Sequence, residues 1–97
     1  MPKGYWIAHV DVTDPENYKQ YQALNAKAFS KYGAKFLVRG GKFVTKAGTS
    51  RARHVVIEFD TYEKALACYD SPEYKAAEAV RNKYSTADVM VIEGWDG

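Results

Sequence analysis

The sequence predicts an α+β fold in which a four-stranded antiparallel sheet carries two helical segments on one face. Three observations predict it: four separate stretches pattern as strands, two long segments place apolar residues at helical spacing, and 97 residues leave room for only one core. Without a repeat, linker or low-complexity tract, residues 1–97 read as a single domain.

Tyr5 to Val12 opens the pattern. Trp6, Ala8, Val10 and Val12 share one parity, while Tyr5, Ile7, His9 and Asp11 share the other, as in a strand with two differently used faces. Asp14-Pro15-Glu16 then offers an N-cap oxygen, a proline at the first helical position and a carboxylate at the positive helix end. Tyr18, Tyr21, Leu24, Ala28 and Tyr32 follow at helical spacing, so the first helix spans Pro15 to Tyr32 and stops at Gly33. Ala34 to Arg39 reads as a second strand with a bulge or bend at Gly40-Gly41, and Lys42 to Lys46 resumes an extended pattern. A hairpin turn across Lys46 to Arg53 leads into a third strand, Arg53 to Phe59, with Val55, Ile57 and Phe59 inward and His54, Val56 and Glu58 outward.

Asp60 and Glu63 resemble a capping box opening the second helical segment. Ser71-Pro72-Glu73 repeats the cap, proline and carboxylate arrangement, so this segment breaks at Asp70 or Ser71 and restarts through Tyr84. Val89 to Ile92, extended by Ala87, Asp88 and Glu93, is the last strand, and its continuous apolar run suggests that both faces are covered. The β-α-β-β-α-β order fits the ferredoxin-like arrangement, with strand order 4-1-3-2. One sheet face is then left bare, carrying Tyr5, Ile7 and Val56, and covering it with a second copy predicts a homodimer.

Composition narrows the function classes. The chain is 46% hydrophobic and 27% charged, values that argue against disorder, and it has no apolar run near the ~20 residues of a membrane span. Its start lacks the apolar core of a signal peptide, so a cytoplasmic protein with no membrane partner is expected. The net charge of +2 falls short of a dedicated nucleic-acid binder, and the third strand offers Val56 and Glu58 outward rather than base-stacking aromatics. No nucleic-acid partner is expected. A single cysteine excludes an intramolecular disulfide and a cysteine zinc cage. Cys68 has no adjacent histidine and reads as a buried small hydrophobe. Gly40-Gly41 belongs to neither a dinucleotide nor a Walker motif, so no cofactor is expected.

The candidate chemistry lies on the open face, where strand parity assembles His9, Asp11, Arg39, His54 and Glu58. With the third strand between the first and second, Glu58 would meet His9 on one side and Arg39 on the other. In a functional reading, Arg39 holds a small anionic or carbonyl-bearing ligand, a histidine moves a proton and Glu58 fixes its tautomer, making His9 and Glu58 the catalytic candidates. Asp11, Arg39 and His54 are ligand-binding candidates beside them, as are Tyr5 and Trp95, expected as pocket walls at the ends of neighbouring strands. In the structural reading, the same cluster satisfies polar groups at a dimer interface and sets its register. A metal site is not expected, because the two histidines lack ligand spacing. Tyr18, Tyr21, Tyr32, Tyr74 and Tyr84 sit on helix faces, where aromatics ordinarily pack against a sheet.

Five segments carry a family resemblance: Asp14-Pro15 with Tyr18 and Tyr21, Tyr32-Gly33-Ala34-Lys35-Phe36-Leu37-Val38-Arg39-Gly40-Gly41, Val56-Ile57-Glu58-Phe59, Ser71-Pro72-Glu73-Tyr74, and Arg81. Together they resemble domain-of-unknown-function family 1330 over nearly the whole chain. The resemblance implies a dimeric α+β barrel, in which two ferredoxin-like sheets pack face to face, with an uncharacterised activity. Where the family commonly has an aromatic pair before Ser-Pro-Glu-Tyr, this chain has Cys68-Tyr69, and Ala34 stands where a small Gly is frequent. Related dimeric α+β barrel groups include cofactor-free oxygenases and isomerases. Two functions follow as expectations: a homodimer that binds, or transforms without a cofactor, a small polar or aromatic metabolite between sheet and dimer interface, or a noncatalytic homodimer.

Overall fold

The computed structural model describes residues 2–96. In chain order its elements are β1 (Gly4–Val12), α1 (Pro15–Tyr32), β2 (Lys35–Arg39), β3 (Arg53–Phe59), α2 (Tyr62–Asp70), α3 (Pro72–Tyr84) and β4 (Ser85–Glu93). The strands pair antiparallel in the order β2-β3-β1-β4, which puts β1 and β3 at the centre. This is the ferredoxin-like arrangement, with the second helical segment divided into α2 and α3.

Local chemistry sets the helix ends. Asp14 accepts the Asn17 backbone N–H at 3.2 Å, Pro15 follows it, and Gly33 closes α1 at φ 68°, a left-handed conformation that suits a residue without a Cβ. Ser71 serves two helices: its hydroxyl donates to the Cys68 carbonyl at 2.7 Å and accepts the Tyr74 N–H at 3.1 Å. One side chain thus closes α2 and opens α3 around Pro72. The start of α2 differs from the expected capping box, because Thr61 rather than Asp60 accepts the Lys64 N–H, at 3.1 Å. Asp60 instead meets the Lys64 ammonium at 3.4 Å.

Trp6 anchors the core between the sheet and the helices. Its ring lies 4.8 Å from Tyr74, 5.2 Å from Phe29 and 5.4 Å from Phe59, and its indole N–H donates to the Ala65 carbonyl at 2.8 Å. Tyr18, Tyr21, Ala28, Ile57 and Ala77 complete the buried layer. Cys68 is buried there too, in contact with the Ala28 carbonyl, and burial pushes its thiol up to about 12.

Three strand expectations change. The irregularity in β2 lies between Phe36 and Val38, ahead of the glycines. Residues 42–46 do not extend the strand; Gly40, at φ 70°, turns the chain out of the sheet into an exposed excursion that returns at Arg53. Both faces of β4 are not covered within one chain, for Met90 and Ile92 remain 49% and 42% exposed. The Cα envelope measures 39 × 36 × 17 Å, the thickness of one sheet and one helical layer, so among the described residues no second layer of helix or sheet covers the other face. Among the described residues, no helix is long and apolar enough to cross a membrane.

Candidate functional site

Register places the open-face polar residues. His9 on β1 pairs with His54 on β3 and Asp88 on β4, so three side chains from the three adjacent strands form one row across the sheet. The two imidazole rings lie 5.8 Å apart. Asp11 follows two residues along β1 on the same face.

The returning excursion closes over this row. The Arg51 backbone N–H donates to His9 Nδ1 at 3.1 Å, which leaves the ring proton on Nε2, 3.0 Å from Asp88 Oδ2. The Arg51 guanidinium bridges the two carboxylates, donating to Asp88 at 2.8 Å and to Asp11 at 2.9 Å, while the Ala52 N–H donates to the other Asp11 oxygen at 2.9 Å. The Ala52 N–H and then Arg51 hold the Asp11 carboxyl below the usual range, and the Arg51 hydrogen bond does the same to Asp88. Both His9 nitrogens and both Asp11 oxygens are occupied.

His54 differs. Its Nε2 is buried without a hydrogen-bond partner, and its ring meets Phe43 edge-on at 4.3 Å. Both histidines line a groove of about 260 Å³, together with Ile7, Asp88 and Met90. The groove is mostly apolar, with the two imidazoles and the Asp88 carboxylate as its polar lining. Among the described residues, no three His, Cys, Asp or Glu side chains are grouped to hold a metal ion.

A family model described as Domain of unknown function (DUF1330) matches residues 3–95. The chain belongs to this family. Among solved structures, this DUF1330 chain is similar to a protein of unknown function from Rhodopseudomonas palustris, at 13% identity and a TM-score of 0.75, covering 99% of this chain and 85% of that one. It is similar also to SnoaB, a cofactor-independent oxygenase from Streptomyces nogalater, at 12% identity and a TM-score of 0.66, covering 100% and 97%. A third likeness is to a dimeric ferredoxin-like protein of unknown function from Thermobifida fusca, at 19% identity and a TM-score of 0.59, covering 94% and 92%. At these identities the likenesses show the fold alone. No curated protein matches the sequence.

Within this DUF1330 fold the expected cluster divides. His9, Asp11 and His54 come together, but Glu58 pairs with Tyr5 and Lys35, four residues along the strand from His54. That is about 13 Å at strand spacing, so Glu58 does not orient His9, and its charged neighbour is Lys3 at 3.9 Å. Arg39 leaves the open face altogether. The bulge between Phe36 and Val38 shifts the parity of β2, so Arg39 pairs with Val55, on the helix-facing parity, and stacks 4.5 Å from the Phe36 ring. Trp95 is 92% exposed, and neither it nor Tyr5 lines the groove.

Arg51 and Asp88 were not among the expected site residues. Asp88 was legible, since it shares the parity of Met90 and Ile92 on a strand beside β1. Arg51 sits in an exposed, unpaired excursion, where periodicity carries no signal.

Proposed function

We propose that this chain forms a homodimer through the open face of its sheet and binds a small polar or aromatic metabolite in the groove that the partner sheet roofs. The observation that carries the ligand reading is the unpartnered, buried Nε2 of His54 beside Ile7 and Met90. The dimer is supported by the exposed apolar row of Ile7, Val38, Met90 and Ile92 and by structural neighbours described as dimeric. Any conversion of the metabolite would run on side chains alone, a reading in keeping with the likeness to an oxygenase described as cofactor-independent. His54, rather than the fully bonded His9, would then hold or move the proton.

A second reading, a noncatalytic homodimer, is favoured by a separate observation: the His9, Asp11, Asp88 and Arg51 network is internally bonded and ties down the excursion. Native mass spectrometry of gently purified protein separates the two. A dimer with retained small-molecule mass that is lost in His54→Ala supports the metabolite reading. A dimer without adduct, in both wild type and variant, favours the noncatalytic reading, and a monomer at micromolar concentration overturns both.

A further inference from the structure

Beneath the other face of the sheet lies a second cavity, of about 50 Å³, between β1, β3 and the helices. In the measure where one water needs about 10–15 Å³, it has room for roughly three to five waters. Its walls include Trp6 and Phe29, with neutral polar groups from Gln22, Asn25 and the tyrosines, but its formal charge is one-sided. Arg39, Arg53 and Arg81 line it from three elements, and among the described residues that line it there is no Asp or Glu.

Arg81 is 6% exposed, and its Nε is buried with no hydrogen-bond partner. Its other nitrogens are used: Nη1 donates to the Tyr74 hydroxyl at 2.9 Å, and Nη2 lies 3.4 Å from the Tyr69 hydroxyl and 3.5 Å from Glu78. Tyr74 and Tyr21 are joined hydroxyl to hydroxyl at 2.7 Å. With Tyr74 accepting from Arg81 and donating to Tyr21, the Tyr21 O–H is left as a donor polarised by the chain behind it. Burial pushes Tyr74 far above the ordinary phenol range and Tyr18 up to about 12, so both remain neutral hydroxyls at physiological pH.

A buried Arg81 N–H without an acceptor, three guanidiniums and no lining carboxylate describe a site short of negative charge. Arg39 is exposed and Arg53 half-buried, so these two mark the mouth, while Arg81 and Tyr21 lie within. We infer that this cavity binds a small monocarboxylate, of about three to five non-hydrogen atoms, with its carboxylate received by Arg81 Nε and the Tyr21 hydroxyl and drawn in past Arg39 and Arg53. The cavity lies on the opposite side of the sheet from the His54 groove, so this inference stands independently of the function proposed above.

Sodium acetate and its neutral isostere acetamide, titrated into the intact protein at constant ionic strength, test it. The Arg81 Nε–H and Trp6 indole N–H resonances are the readout. Acetate is expected to shift both saturably and acetamide to leave them in place. Tyr21→Phe, which keeps the ring in the core, is expected to weaken acetate binding about tenfold, the value of one hydrogen bond to a charged group. Arg53→Gln at the mouth is expected to weaken it about two- to fivefold. Equal shifts with acetate and acetamide, no saturation, or an unchanged affinity in both variants would overturn the assignment.

Discussion

On the helix-covered face the polar groups of Tyr21, Tyr74 and Arg81 bond to one another inside an aromatic layer, whereas on the open face His9, Asp11 and Asp88 bond to a loop that reaches over from outside the sheet. Burial explains the contrast. Tyr74 and Arg81 are 1% and 6% exposed and must find partners within the core, while the Asp88 side chain is 62% exposed and can also bond to water. The covered face therefore specifies the fold. The open face carries a network whose loss would leave the core standing.

The largest expected effect breaks the covered face. Trp6→Ala removes the ring that packs on Phe29, Phe59, Tyr69 and Tyr74 and leaves the Ala65 carbonyl without its indole partner. Chemical denaturation is expected to show a loss of about 3–5 kcal/mol. Ile7→Ala, on the neighbouring residue of the same strand but the opposite face, sharpens the contrast: in dilute protein it is expected to cost far less, because Ile7 is 41% exposed in the chain alone. Equal losses would mean that the two faces are packed alike.

A middle-sized effect is expected where β1 enters the covered side. At Gly4 an added Cβ would lie 2.5 Å from the Thr61 carbonyl oxygen and 2.6 Å from Tyr62 Cα. Both are backbone atoms at the start of α2 and have no rotamer through which to yield. Gly4→Ala is expected to cost about 1–3 kcal/mol, read by the same denaturation curve. A neutral substitution would show that α2 can slide away from β1 without disturbing the Trp6 contacts.

Most of the covered face was legible in the sequence, and the reason is periodicity. Pro15 to Tyr32 and Arg53 to Phe59 have the bounds that their spacing predicts, and the break at Ser71 follows from a cap and a proline in succession. The open-face site was legible only as far as the register was. A β-bulge has no periodic signature, so Arg39 was expected on the wrong face. Pairing depends on where two strands align rather than on parity, so Glu58 was expected beside His9. Arg51 acts from a stretch with no regular structure, and its backbone N–H bond to His9 is a contact across 42 residues that no local pattern encodes.

The smallest effect isolates the open-face network from the core. Asp11 and Asp88 have carboxyls held below their ordinary range, by Ala52 and Arg51 and by Arg51 respectively. A depressed carboxylate contributes its stability fully above the unfolded value, about 3.9, and loses it as pH falls through the folded value. The tether is therefore intact at neutral pH and released at acid pH, below the range in which free aspartates titrate. Both side chains are substantially exposed, so salt should weaken the same tether. Amide hydrogen exchange followed from pH 7 downward is the measurement, after correction for the pH dependence of intrinsic exchange. Ala52, whose N–H bonds to Asp11, is expected to lose protection before the β1 amides around Trp6. If Ala52 and the β1 amides lose protection together, the network is part of the folding core and the open face is not the separable half of the molecule.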